Sequence, residues 1–198
     1  MVEVYQTIIN EIKQYAEENN VPIIQDEGIL FLSNYIKENN VKKILEIGTA
    51  IGYSAILMAL IDKDITITTV ERDEIRYLEA VKNIKKLNLE NRITIIFDDA
   101  ENVKLEETFD LIFLDAAKAQ NKKFFLLFEK YLKSKGTIIT DNIQFHGLVN
   151  KEEEIKSKNL RALVRKIKNY VEFLKENTEY ITEFYELGDG ISVSKRKK

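Results

Sequence analysis

Short apolar runs alternate along this chain with stretches in which apolar residues recur every three or four positions. Val41–Ile47, Ile65–Val70, Ile93–Phe97, Phe109–Leu114 and Gly136–Thr140 are brief and rich in β-branched residues, the pattern of buried strands. Helical spacing predicts helices near 53–62, 74–88, 120–133 and 155–176. Ahead of the first strand, Tyr5, Ile8, Ile9, Ile12 and Tyr15 share one helical face, and Gly28 to Ile36 forms a second amphipathic segment. Strand and helix in alternation predict a mostly parallel sheet with helices on both faces. The last two strands, Glu179–Glu186 and Gly190–Lys195, are joined by Leu187-Gly-Asp-Gly190, too short to hold a crossover helix. They must form an antiparallel hairpin.

Polar residues then cluster at one place in the pattern. The first strand runs into Glu46-Ile-Gly-Thr-Ala-Ile-Gly-Tyr-Ser54, two glycines opening a helix. Such a turn brings backbone N–H groups and the positive end of a helix dipole against a nucleotide-like ligand. Its G-x-x-x-G spacing is neither the dinucleotide fingerprint nor a P-loop. The second strand ends in Glu71, where an acid accepts hydrogen bonds from ribose hydroxyls. The third ends in Asp98-Asp99-Ala100, the fourth in Asp115 and the fifth in Asp141-Asn142. Open α/β sheets bind ligands at the carboxyl ends of their strands, and here every parallel strand has a polar group there.

Composition narrows the class. With 198 residues, 44% hydrophobic, the chain can bury a full core and is read as one domain over 1–198, residues 1–40 forming N-terminal helices that cap the ligand side. No cysteine is present, which removes disulfides, cysteine nucleophiles and zinc–thiolate sites. Without a signal peptide or an apolar run of membrane-spanning length, a cytoplasmic location and no membrane partner are expected. The formal net charge of -3 shows no global attraction to nucleic acid.

The order of E-I-G-T-A-I-G-Y-S, Glu71, Phe113-Leu-Asp-Ala-Ala-Lys118 and Thr140-Asp-Asn142 resembles the class I S-adenosylmethionine-dependent O-methyltransferases of the catechol and caffeoyl-CoA type, from about Val21 to the C-terminus. The resemblance implies a Rossmann-like three-layer sandwich, a seven-stranded sheet and a homodimer. It implies that Gly48, Thr49 and Gly52 line the methionine part of the cofactor, that Ser54 reaches its carboxylate, that Glu71 holds the ribose, and that Asp99 and Ala100 meet the adenine. Asp115 borders the same cofactor. The family usually has Gly where this chain has Asp98, a position at which Asp tolerates positive φ.

Asp115, Asp141 and Asn142 place three oxygen ligands at the ends of adjacent strands, a hard site suited to Mg²⁺ (or Mn²⁺) at about 2.0–2.1 Å. Two neighbouring substrate oxygens can then chelate the ion, and Lys118, three residues beyond Asp115, is placed to remove the hydroxyl proton.

The acceptor is read in two ways. Val21-Pro-Ile-Ile-Gln-Asp-Glu-Gly28, the segment from Asp141 through Gly147-Leu-Val149, and Leu187-Gly-Asp-Gly-Ile-Ser-Val193 resemble the bacterial tRNA 5-hydroxyuridine methyltransferases. That implies methylation of a 5-hydroxyl in the tRNA anticodon region. On the last helix Lys158, Arg161, Arg165 and Lys168 share one face, opposite Leu160, Leu163, Val164, Ile167, Val171 and Leu174, so Arg161 and Arg165 are candidate phosphate contacts. His146 is a candidate substrate contact, and Phe145 a base-stacking one. The alternative acceptor is a small catechol or hydroxylated phenylpropanoid, whose adjacent oxygens present the same chelating pair.

Overall fold

The computed structural model describes residues 2–144, 147 and 155–197. Seven strands, β1 (Lys43–Ile47), β2 (Thr66–Glu71), β3 (Ile93–Phe97), β4 (Phe109–Leu114), β5 (Leu132–Thr140), β6 (Tyr180–Tyr185) and β7 (Ile191–Arg196), form one sheet in the order β3-β2-β1-β4-β5-β7-β6. The first five are parallel, whereas β7 runs antiparallel to both β5 and β6. The predicted parallel sheet with a closing hairpin is the observed topology.

Both faces of the central strands are buried, which explains why their sequences are continuous apolar runs. On β4, Leu111 and Phe113 face one core, with residues of α1 (Val2–Glu18), α2 (Asp26–Glu38), α3 (Tyr53–Leu60) and α4 (Glu74–Lys86). Ile112 and Leu114 face the other, against α5 (Asn121–Phe128) and α6 (Lys158–Glu176). There Phe125 meets Phe173 and Tyr180 edge-on, with ring centroids 5.5 and 5.0 Å apart. The helix ends follow local chemistry. Asp73 caps α4 by accepting from the N–H of Arg76 at 2.9 Å, and Lys85 and Lys86 face the negative end of its dipole.

Two boundaries differ from the sequence expectation. A helix over 120–133 is predicted, but α5 stops at Phe128, a tight turn spans 129–131, and β5 starts at Leu132 rather than Gly136. The cause is tertiary: Leu132 pairs with Phe109, the register slips before Leu111, and Lys133 forms an ion pair with Asp110 at 2.7 Å. On α6 the deepest residues are Val164, Ile167, Tyr170 and Leu174, with Leu160, Leu163 and Val171 only half buried. Tyr170 belongs to this stripe because its hydroxyl has a partner, Oγ1 of Thr140 at 2.7 Å.

Candidate active site

The strand order reverses between β1 and β4, and a cleft of about 360 Å³ opens at the carboxyl ends of the strands there. Its floor is the β1–α3 turn. Gly48 adopts φ +102°, and a β-carbon there would lie 2.4 Å from the carbonyl oxygen of Asp115, so only glycine lets this turn lie against the end of β4. Gly52, at φ +84°, caps α3. Gly48, Thr49 and Ser54 line the cleft, whereas Gly52 does not.

Glu71 ends β2 as expected and is almost fully buried. Three backbone N–H groups hold its carboxylate: Ala50 donates to Oε2 at 2.8 Å, and Arg72 and Asp73 donate to Oε1 at 2.9 Å each. Such a carboxylate is fixed in direction before any ligand arrives. Asp99 and Ala100 line the same wall. Asp99 accepts from the Glu101 N–H at 3.0 Å and from the Arg72 guanidinium at 3.1 Å, and these donors hold its carboxyl below the usual range. Asp98 is not among the residues with positive φ; its Oδ1 instead accepts the Asp99 N–H at 2.7 Å. The departure from the family pattern at this position therefore costs no strain.

At the other end of the cleft the fold brings together Asp115, Lys118 and Asn142, with Asp141 buried beside them and not itself lining the cleft. Lys118 Nζ donates to Asn142 Oδ1 at 2.9 Å, and Asn142 Nδ2 donates to Asp115 Oδ1 at 3.3 Å. Asn142 sits at φ +63°, a conformation that Asn tolerates and that commonly marks a functional turn. Asp141 accepts the Asn142 N–H at 2.8 Å. Burial pushes the Asp115 carboxyl well above the ordinary value, and the neighbouring charge of Asp141 adds to this. Burial likewise raises Asp141 to about 6, against the opposing pull of the Asn142 N–H and Lys118.

Among the described residues no group of three or more His, Cys, Asp or Glu side chains is arranged to hold a metal; the set here is two carboxylates and an amide. Its chemistry nonetheless fits a hard divalent cation: all three side chains carry oxygen, and buried Asp141 and half-buried Asp115 are close enough for their charges to oppose each other.

Several lining residues were not among the sequence candidates. Pro22, Ile23 and Ile24, between α1 and α2, form part of the wall, as does Tyr53, although all four lie within motifs that carry the family resemblance; Arg72, Arg76 and Phe124 carry no obvious signal in the sequence. Glu46 lies on β1, fully buried under the floor, where an acid set between the apolar residues Leu45 and Ile47 was the available clue. The α6 candidates divide. Arg161 turns its guanidinium onto the Ile155 carbonyl, with Nε and Nη2 at 3.2 and 2.5 Å, and so braces the start of its own helix. Arg165 and Lys168 are exposed. Phe145, His146, Leu148 and Val149 lie outside the described residues.

A ligand cleft at the switch point of this sheet, with an acid ending β2 and an Asp-Asn turn ending β5, defines a Rossmann-like methyltransferase fold. A family model described as O-methyltransferase matches residues 3–197, and the chain belongs to that family. It is 31% identical over 196 residues to the flavonoid 3',5'-methyltransferase of Vitis vinifera, covering 94% of this chain and 82% of the relative. It is 29% identical over 193 residues to the caffeoyl-CoA O-methyltransferase of Populus kitakamiensis, covering 93% and 82%. Among solved structures, a Staphylococcus aureus protein provisionally named a caffeoyl-CoA O-methyltransferase is 39% identical, with a TM-score of 0.90 and coverage of 99% and 97%. An O-methyltransferase from Bacillus cereus, solved in complex with SAH (S-adenosylhomocysteine), is 26% identical with a TM-score of 0.82 and coverage of 96% and 91%. No helix among the described residues is long and apolar enough to cross a membrane.

Proposed function

We propose that this enzyme transfers the methyl group of S-adenosylmethionine to one of two adjacent oxygens on a small phenolic acceptor. The observation that carries this reading is the grouping of Lys118, Asn142 and Asp115, linked at 2.9 and 3.3 Å, beside a cradle closed by Glu71. Glu71 accepts the ribose hydroxyls, Gly48, Thr49 and Ser54 surround the amino-acid end of the donor, and Asp99 with Ala100 borders the base. The SAH complex of the Bacillus cereus relative supports that donor, and the Populus and Vitis names support a phenolic acceptor.

Lys118 takes the proton of the acceptor hydroxyl. The resulting oxyanion attacks the methyl carbon, the carbon–sulfur bond breaks, and its electron pair returns to sulfur, leaving S-adenosylhomocysteine and a methyl ether. A divalent cation, Mg²⁺ or Mn²⁺, held by Asp115, Asp141 and Asn142 would supply Lewis-acid polarisation of both acceptor oxygens. The walls around the site exclude water and hold the acceptor oxygen in line with the methyl group.

A second acceptor, 5-hydroxyuridine in tRNA, is favoured by one observation. The helix α6 packs against the Lys118–Gln120 turn, so exposed Lys158, Arg165, Lys166 and Lys168 lie on a helix bordering the acceptor end of the cleft. A homodimer with the N-terminal helices in contact belongs to the same reading, and light scattering tests it. Incubation with labelled donor and Mg²⁺ separates the acceptors. Transfer to catechol or a caffeoyl thioester, with none to tRNA from cells lacking the gene, supports the phenolic reading. Transfer to that tRNA alone overturns it.

A further inference from the structure

Beneath the β1–α3 turn lies a closed set of four side chains. Ser54 Oγ donates to Oε1 of buried Glu46 at 2.5 Å, and Thr69 Oγ1 donates to Oε2 at 2.5 Å. Thr49 Oγ1 lies 2.6 Å from Thr69 Oγ1. A hydroxyl has one proton to give, and Thr69 gives its own to Glu46, so Thr49 is the donor in that contact. With the carboxylate ionised, all three hydroxyl protons point inward. Ser54 and Thr49 border the cleft, yet they then offer a ligand only lone pairs, and an arriving carboxylate meets acceptor against acceptor.

One added proton changes the count. Placed on Oε1 of Glu46, it is donated to Ser54, whose own proton is released. Placed on Oε2, it is donated to Thr69, which turns its proton to Thr49, and the Thr49 proton is released. Either route delivers one hydroxyl donor to the cleft without moving a heavy atom.

We propose that Glu46 is a positioning residue for the amino-acid end of the methyl donor, taking up a proton as the donor's carboxylate binds and thereby turning the hydroxyl of Ser54 or Thr49 toward that carboxylate. This rests on the placement of the donor against Gly48–Ser54 proposed above. Burial brings the Glu46 carboxyl to about 7, opposed by the Ser54 and Thr69 hydroxyls, so the proton is available near neutrality. The charged group acting on Glu46 is Glu71 from β2, which favours the protonated form; Glu46 in turn helps to raise the Asp115 carboxyl at the end of β4.

The test is calorimetry of S-adenosylhomocysteine binding between pH 6 and 9, in buffers of different ionisation enthalpy. Wild-type protein should take up close to one proton per ligand at alkaline pH, with affinity falling by up to about tenfold per pH unit above 7. Glu46→Gln, whose amide supplies the donor permanently, should bind with no such uptake and a flat profile. 5′-Methylthioadenosine, which lacks the carboxylate, should bind both proteins without uptake. Should Glu46→Gln fail to fold, the double variant Ser54→Ala, Thr49→Val must lose the uptake with Glu46 in place. Equal uptake in wild type and Glu46→Gln, or a wild-type affinity indifferent to pH, overturns the relay. If instead Glu71→Ala leaves S-adenosylhomocysteine affinity unchanged, the donor placement itself is wrong.

Discussion

Gly48 and Asp115 are in contact across the switch point of the sheet, where a β-carbon on the first would sit 2.4 Å from the carbonyl oxygen of the second. The floor of the cleft and its Asp115 end are thereby packed directly on each other. Gly48→Ala must strain a left-handed residue, at about 1–2 kcal/mol, and also push the turn away from β4. We expect a lower midpoint in urea unfolding and loss of measurable S-adenosylhomocysteine binding. Wild-type affinity in this variant would show that the floor is not the donor site.

Under the proposed mechanism Lys118 is the general base, and its half-exposed place at the head of a short turn makes it replaceable without a large cost to the fold. Lys118→Ala should lower kcat by about 10²–10⁴, the range for loss of a general base, with little change in donor affinity. Single-turnover rates set beside calorimetry will distinguish this from a binding defect. A parallel fall in donor affinity would place Lys118 in the cofactor site.

Asp141 links pH to stability with a definite sign. Its carboxyl is raised from 3.8 in the unfolded chain to about 6 by burial, so the folded state favours the protonated form. The stability this contributes is complete below pH 4 and is lost as pH rises through about 6, an effect on the order of 2–3 kcal/mol. Asp141→Asn, held neutral at every pH, should therefore exceed wild type in stability at pH 7.5 in EDTA, while methyl transfer is abolished. Urea unfolding at pH 4 and 7.5 measures the crossover. A variant less stable at both pH values would mean that Asp141 is needed to hold the turn.

The exposed face of α6 separates the two acceptors. Arg165→Glu combined with Lys168→Glu should leave turnover of a catechol unchanged, because neither residue lines the cleft. If tRNA is an acceptor, the same change must weaken its binding and flatten the salt dependence. Equal losses on both substrates would assign this face to folding.

Much of this was legible in the one-dimensional pattern. Continuous apolar runs between helical periods can satisfy their backbone and bury both faces only in a covered parallel sheet, and such a sheet displays its ligand groups at the strand ends. Gly48, Glu71, Asp99, Asp115 and Asp141 were therefore locatable from position alone. The link from Leu187 to Gly190 required a hairpin on length alone.

What the pattern did not contain was decided by contacts distant in sequence. The end of α5 and the early start of β5 depend on pairing with Phe109, which the helical spacing of Phe125, Phe128 and Leu132 conceals. Arg161 reads as a surface cation until its guanidinium meets the Ile155 carbonyl. The inward turn of the Ser54 proton depends on Glu46, eight residues away, and the committed Thr69 hydroxyl depends on a neighbouring strand. Hydrophobic periodicity records which face of an element is buried. The direction of a hydrogen bond is set by which donors and acceptors the packed elements bring within about 3 Å, and only the tertiary structure supplies that.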